Sequence, residues 1–171
     1  MINEYVYIDL DGVILDSEHR MLQRKEMIGF HNHHDKQEFS KYFEYTQLHP
    51  SEWNYIIKEA NSLNNSVEII RKLEKMKKKI AILTKIHTLY EMKVKIEDLR
   101  NNRKIGCPVL FVPPGVKKCD IVIPNGQILV DDSQKNIKDW IEHGGKGFIY
   151  DEKANNDTFS KVRSLDFLLK R

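Results

Sequence analysis

Ile8-Asp9-Leu10-Asp11-Gly12-Val13 sets two carboxylates two residues apart at the end of an apolar run, with a glycine directly after them. On an extended strand, side chains two apart project on one side. Two anions held that close repel each other unless a cation or a proton lies between them. Oxygen ligands of this kind suit Mg2+, which takes one or two carboxylates together with water and phosphate oxygens. Alone, the pair reads equally well as a charged turn. A second apolar run, Ile128-Leu129-Val130, ends in Asp131-Asp132-Ser133. If the two runs are adjacent strands, four carboxylates converge, which is costly as scaffolding and ordinary as a metal site. Ala81-Ile82-Leu83 ends in Thr84, a hydroxyl able to donate to a phosphate oxygen. Lys117 and Lys118 precede the run at 128, and a lysine there offsets carboxylate and phosphate charge as a compact cation. Thr84 or either lysine is unremarkable by itself.

These residues need strands to hold them. Five short apolar runs read as strands: Tyr5 to Leu10, Ile80 to Leu83, Val109 to Val112, Ile128 to Val130 and Gly147 to Tyr150. The second, third and fourth are near-continuous in β-branched or large apolar residues, as are strands covered on both faces of a parallel sheet. Helical patterns lie between them. Val67 to Lys79 carries Ile69, Ile70, Leu73 and Met76 on one stripe, and Asn65 with Glu68 resembles a capping box. His87 to Arg103 is amphipathic through Leu89, Met92, Val94 and Leu99, and Asn136 to His143 is closed by Gly144-Gly145. The alternation predicts an α/β fold with right-handed crossovers. Residues 17 to 62 break it, with helical pieces at Glu18 to Ile28, Lys36 to Tyr45 and Ser51 to Ala60 and no good strand. They read as a helical insertion after the first strand, leaving 1–16 and 63–171 as the core domain.

The chain has 171 residues, 40% hydrophobic and 31% charged, which suits one compact domain with a small insertion. A net charge of +3 is a weak argument for nucleic acid and is compatible with an anionic small substrate. Lys75 to Lys79 closes a helix, where cations suit the dipole, and reads as a solvated end. Cys107 and Cys119 form no CxxC pair and read as free buried thiols in a reducing compartment. No apolar stretch approaches the ~18 residues of a membrane span. The start of the chain shows no signal peptide, so the expected location is cytoplasmic.

In chain order, Asp9-Leu10-Asp11-Gly12, Thr84, Lys117/Lys118 and Asp131-Asp132 resemble the strand-end motifs of the haloacid dehalogenase (HAD) superfamily. The resemblance spans nearly the whole core. It implies a Rossmann-like core with a mostly parallel five-stranded sheet and a small helical C1-type cap at 17–62. It implies Asp9 as the nucleophile that forms an aspartyl-phosphate and ligates Mg2+, and Asp11 as the general acid/base, its carbonyl also on the metal. An aspartate at position 11 resembles the phosphatases and phosphomutases, where the transport ATPases carry threonine. Thr84 would hold the phosphoryl group, helped by the N–H of Leu10, Asp11 or Lys85. Asp131 and Asp132 would complete the metal site, with Asp132 favoured as the direct ligand. For the lysine, Lys118 is favoured because Lys118-Cys119-Asp120 is similar to a nucleotidase-like segment. Lys117 stays open, and Lys93 and Lys95 lie upstream. The segment from Ile128 to Trp140, followed by Gly144-Gly145, is similar to the 5'(3')-deoxyribonucleotidase group, although Lys85 stands where small residues or proline are common.

The function implied is Mg2+-dependent hydrolysis of a phosphorylated small molecule, with nucleoside monophosphates preferred. Alternatives are a phosphatase or mutase for another phosphorylated metabolite, a phosphatase for polynucleotide 3'-phosphates, or a non-enzymatic binding or regulatory module on the same core. Phe39, Tyr42, Phe43, Tyr45, Trp53 and Tyr55 could stack on a base, although the helical spacing of Phe39, Tyr42 and Phe43 is also that of a packed core. His87 and Lys85 follow Thr84 closely enough to face a pocket. His31-Asn32-His33-His34 reads as a solvated connection rather than a metal site.

Overall fold

Runs of β-branched and large apolar residues become central strands here because both faces of the sheet are covered. The computed structural model describes residues 4–31, 36–152 and 161–171. Six strands, β1 (Val6–Ile8), β2 (Ile80–Lys85), β3 (Val109–Val112), β4 (Ile128–Asp131), β5 (Lys146–Tyr150) and β6 (Lys161–Val162), form one sheet. Its order is β3-β2-β1-β4-β5-β6, and every pairing is parallel. The five expected strands are all present. The sixth, two residues long, is too short to show a period in the sequence. The first is shorter than expected, because the chain leaves the sheet after Ile8 and not after Leu10. Ile8 pairs with Ile82 on one side and Val130 on the other. The chain thus runs from β1 outward to β3 and then returns to β1's other flank, which places the topological switch between β1 and β4. Ligands of open parallel sheets bind beyond strand ends at such a point.

Seven α-helices are described: α1 (Ser17–Met27), α2 (Lys36–Leu48), α3 (Glu52–Lys58), α4 (Ser66–Lys75), α5 (Leu89–Glu97), α6 (Lys118–Ile121) and α7 (Gln134–Glu142). A π-helical turn, Asp98–Asn102, extends α5, and a 3-10 helix, Leu165–Lys170, ends the chain. Helix α4 buries Val67, Ile69, Ile70 and Leu73, but Met76 lies past its end and is half exposed. Asn65 forms no capping box. Its backbone is left-handed (φ 58°), a conformation asparagine tolerates, and its side chain makes no cap bond. Helix α5 starts on Thr88, whose hydroxyl accepts from Glu91 N. Leu89 is exposed, and the buried face of α5 carries Glu91, Val94 and Lys95.

The helices α1 to α3 fill the stretch between β1 and β2. Arg24 donates to both Glu52 oxygens, at 3.0 and 2.7 Å, joining α1 to α3. Arg103, beside the buried Asp98, donates to Ile57 O (3.3 Å) and Ala60 O (2.7 Å), joining α3 to the end of α5. Cys107 and Cys119 are free and buried. Among the described residues, no helix is long and apolar enough to cross a membrane. Asn32, His33 and His34 of the histidine cluster lie outside the described residues.

Candidate active site

Leu10, Val13, Ile14 and Leu15 are fully buried and anchor a tight turn directly after β1. Asp9 N donates to Val130 O at 2.9 Å, and Ile14 N and Leu15 N both donate to Leu10 O at 2.9 Å. Gly12 sits in this turn at φ 75°, where an L side chain is strained. A Cβ on Gly12 would also overlap the carboxylate of Asp132, which packs against the glycine. Gly12 therefore lets an acidic group from the end of β4 reach the end of β1.

Lys118 is the lysine that enters the site. Its Nζ lies 2.9 Å from Asp9 Oδ1 and 2.6 Å from Asp131 Oδ2, with only 2% of the side chain exposed. The short helix α6 carries it there: Asp120 accepts from Lys117 N at 3.0 Å and closes the first turn. Lys117 points away and pairs with Asp139 at 3.1 Å on the surface. Asp131 is fully buried and also accepts from Ser133 N (2.8 Å) and Asn136 Nδ2 (3.0 and 3.1 Å). Asp132 is the more open of the pair.

Oxygens of Asp9, Asp131 and Asp132 all lie within 4.8 Å of one another. Three carboxylates against one buried lysine leave an excess of negative charge. Burial pushes the Asp9 carboxyl up to about 8, against the pull of Lys118, and Asp131 and Asp11 add to the rise. Burial, with Asp131, raises Asp132 to about 6. All-oxygen donors with surplus negative charge fit a hard divalent cation.

Asp11 faces the other way. Ser17 Oγ donates to its Oδ1 at 2.6 Å, and Thr84 Oγ1 and Lys95 Nζ lie 3.1 and 2.6 Å from its Oδ2. Burial works against its charge, but Lys95, with Ser17 and Thr84, holds it below the usual carboxylate range. Thr84 is fully buried and spends its hydroxyl on Asp11. Leu10 N donates to Asp9 Oδ1 at 2.8 Å. Lys85 sits at the tip of β2, with Nζ 3.3 Å from Asn136 Oδ1 and its carbonyl accepting from Lys95 at 2.8 Å.

Over these groups lies a cavity of about 340 Å³. Asp9, Asp11, Asp132, Lys85 and His87 line it, together with Met21, Phe39, Phe43 and Trp53 from the helices α1 to α3. The His87 ring meets Phe43 edge-on at 4.5 Å and lies parallel to Trp53 at 6.2 Å. Of the six aromatic candidates, Phe39, Phe43 and Trp53 reach the cavity. Tyr42 is buried against Phe30 and Tyr45, and Tyr55 lies under Arg24. Sequence reasoning did not assign roles to Lys95, Glu91, Ser17 or Asn136. For the first two a signal existed: positions 91, 94, 95, 98 and 99 form one helical stripe, so its three charges, Glu91, Lys95 and Asp98, had to be buried with Val94 and Leu99.

The sequence matches no protein-family model and no curated protein. Solved structures do match across the whole chain. A Thermotoga maritima protein described as a β-phosphoglucomutase is 13% identical, with a TM-score of 0.65 over 98% of each chain. The HAD-hydrolase YfnB of Bacillus subtilis, described as bound to magnesium, is 12% identical, with a TM-score of 0.64 over 98% of this chain and 97% of that one. The D,D-heptose 1,7-bisphosphate phosphatase of Burkholderia thailandensis is 14% identical, with a TM-score of 0.53 over 96% of this chain and 98% of that one. The fold is that of the HAD-superfamily hydrolases.

Proposed function

We propose that this chain is a Mg2+-dependent phosphomonoester hydrolase working through an aspartyl-phosphate on Asp9. The observation that carries the reading is the meeting of Asp9, Lys118, Asp131 and Asp132 at the ends of β1 and β4, under one cavity. In the first step an Asp9 oxygen attacks phosphorus in line, and the leaving oxygen takes a proton from Asp11, whose acid form the approaching phosphate anion favours against the pull of Lys95. In the second, Asp11 removes a proton from water as it attacks the aspartyl-phosphate, releasing inorganic phosphate and restoring Asp9. Lys118 offsets charge on the reacting carboxylate and phosphoryl oxygens throughout. Asp9, Asp132 and the Asp11 carbonyl, with Asp131 in support, would hold Mg2+, which would supply positive charge against the phosphoryl oxygens. The phosphatase and mutase among the structural neighbours support phosphoryl chemistry on this fold.

Residues 17–62 act in this reading as a cap that supplies specificity. Its three cavity aromatics, with His87, offer faces and edges to a planar group, and the buried Trp53 indole N–H has no partner among the described residues. An aromatic base with acceptor atoms meets both conditions, so nucleoside monophosphates are the preferred substrates. A second reading has its own observation. A groove of about 410 Å³ continues past Lys85 and His87 and is lined by Lys117 and Lys135. That lining suits a substrate with a further phosphate, such as a polynucleotide 3'-phosphate or a bisphosphate.

The test is phosphate release across ribo- and deoxynucleoside 5'- and 3'-monophosphates, sugar phosphates, a 3'-phosphorylated oligonucleotide and an aryl phosphate. Each is assayed with Mg2+ and with EDTA, and Asp9→Asn serves as the control. Metal-dependent release concentrated on nucleotides is expected. Release from other phosphates alone would keep the chemistry and discard the base. No release above the Asp9→Asn control would discard the phosphatase reading in favour of a binding module.

A further inference from the structure

The buried face of α5 carries an ion pair to which the two-step scheme gives no task. Lys95 Nζ lies 2.7 Å from Glu91 Oε1 and 2.6 Å from Asp11 Oδ2, and only 1% of the lysine side chain is exposed. The same ammonium donates to Lys85 O at 2.8 Å and approaches Thr84 Oγ1 at 3.3 Å. Glu91 is equally buried, and its other oxygen accepts from His87 N at 2.7 Å. As a stabilising device this is a poor bargain, since desolvating two charges cancels most of their attraction. Glu91 alone would neutralise Lys95. The lysine nevertheless reaches past Glu91 to a carboxylate whose side chain is 37% exposed and lines the cavity.

Asp11 needs such a partner. It stands in the turn beyond β1, where no strand neighbour fixes its side chain. Ser17 of α1 holds one of its oxygens, while Lys95 of α5 and Thr84 of β2 hold the other. Donors from different elements on the two oxygens fix both the position and the plane of the carboxyl group. Without Lys95 this charged anchor is gone, and a carboxyl hinged on Ser17 and Thr84 samples other rotamers.

We propose that Lys95 is a positioning residue for proton transfer, fixing Asp11 against the leaving-group oxygen while Glu91 balances its charge. The inference rests on the phosphohydrolase reading. It separates positioning from mere support of the fold, because only a misplaced acid makes the rate depend on how badly the leaving group needs a proton.

The experiment compares kcat/KM for para-nitrophenyl phosphate, a good leaving group, with that for benzyl phosphate, a poor one, in Mg2+. It uses wild type, Asp11→Asn, Lys95→Met, and the charge-balanced Lys95→Met/Glu91→Gln double variant in case the single one folds badly. Both substrates are assayed on the same preparation, so the folded fraction cancels from their ratio. Both Lys95 variants should lose about tenfold to a hundredfold more on benzyl phosphate than on para-nitrophenyl phosphate, in the direction of Asp11→Asn. Equal losses on both substrates, or an unchanged ratio, would overturn the positioning role while leaving the phosphatase reading intact. Hydrolysis of neither substrate by wild type, with none in the wider panel, would remove the reading and the inference together.

Discussion

Lys118 Nζ stands 2.9 Å from Asp9 Oδ1, and its second contact, 2.6 Å to Asp131, closes a bridge between the ends of β1 and β4. Burial works against its charge, yet Asp9 and Asp131 hold it above the ordinary lysine range. Lys118→Met should lower phosphate release by about a hundredfold or more, since it removes a preorganised charge from the reacting groups. It should also cost about 3–5 kcal/mol in urea unfolding, because buried carboxylates lose their partner. Lys117→Met, one residue away on the surface, should leave stability and turnover of nucleoside monophosphates unchanged. Equal effects of the two would reverse the assignment of the lysine.

Asp9 gives the metal-free protein a particular response to pH. Its carboxyl is raised from 3.8 to about 8 by burial, against Lys118, with Asp131 and Asp11 adding to the rise. An acid whose folded value exceeds its unfolded one holds more protons when folded, so its contribution to stability falls as pH rises between the two. In EDTA, the melting temperature of wild type relative to Asp9→Asn should therefore decline from about pH 4 to about pH 8. Added Mg2+ should restore more at the upper end of that window than at the lower. A constant difference across the window would contradict the raised Asp9.

Gly12 and Gly115 make a matched pair, at φ 75° and 79°. An added Cβ meets Asp132 at Gly12 and nothing within 4 Å at Gly115. Gly115→Ala should cost only the conformational term, about 1–2 kcal/mol. Gly12→Ala should cost more and should also raise the Mg2+ concentration for half-maximal turnover, because Asp132 has to move. Thermal unfolding and a Mg2+ titration of activity separate the two effects.

Phe43 contacts His87 at the cavity wall. Phe43→Ala should raise KM for nucleoside monophosphates by about tenfold, the loss of one aromatic contact of about 1.5 kcal/mol. KM for a small sugar phosphate and kcat for either should change little. A uniform fall in kcat would place Phe43 in the folding of the helices instead.

The strand ends were legible because apolar runs closing in Asp or Thr carry both the sheet and the chemistry in one local pattern. Five strands and three of the inter-strand helices follow from such patterns. Helix α6, four residues long, and β6, two residues long, are too short to show a period. What the sequence hid was pairing. Lys118 is favoured over Lys117 by resemblance alone, and in the fold α6 turns Lys118 inward and Lys117 to Asp139. Thr84 reads as a phosphate ligand from its place on β2, yet in the fold it bonds to Asp11, because Asp11 lies in the turn and not on the strand. Lys95 was visible only as one of several upstream lysines. Burial of its stripe on α5 depends on how that helix lies against β2, which local spacing does not encode.

The first strand of the chain is also the centre of the sheet: Ile8 has Ile82 for one neighbour and Val130 for the other. During synthesis β1 emerges before either partner, and Asp9 cannot meet Lys118 or Asp131 until those residues are out as well. The acidic cluster therefore closes only when both flanking strands are in place, and a chain ended before Lys118 carries Asp9 without its buried cation partner. Pairing over such sequence separations is slow and leaves an apolar central strand uncovered in the interim.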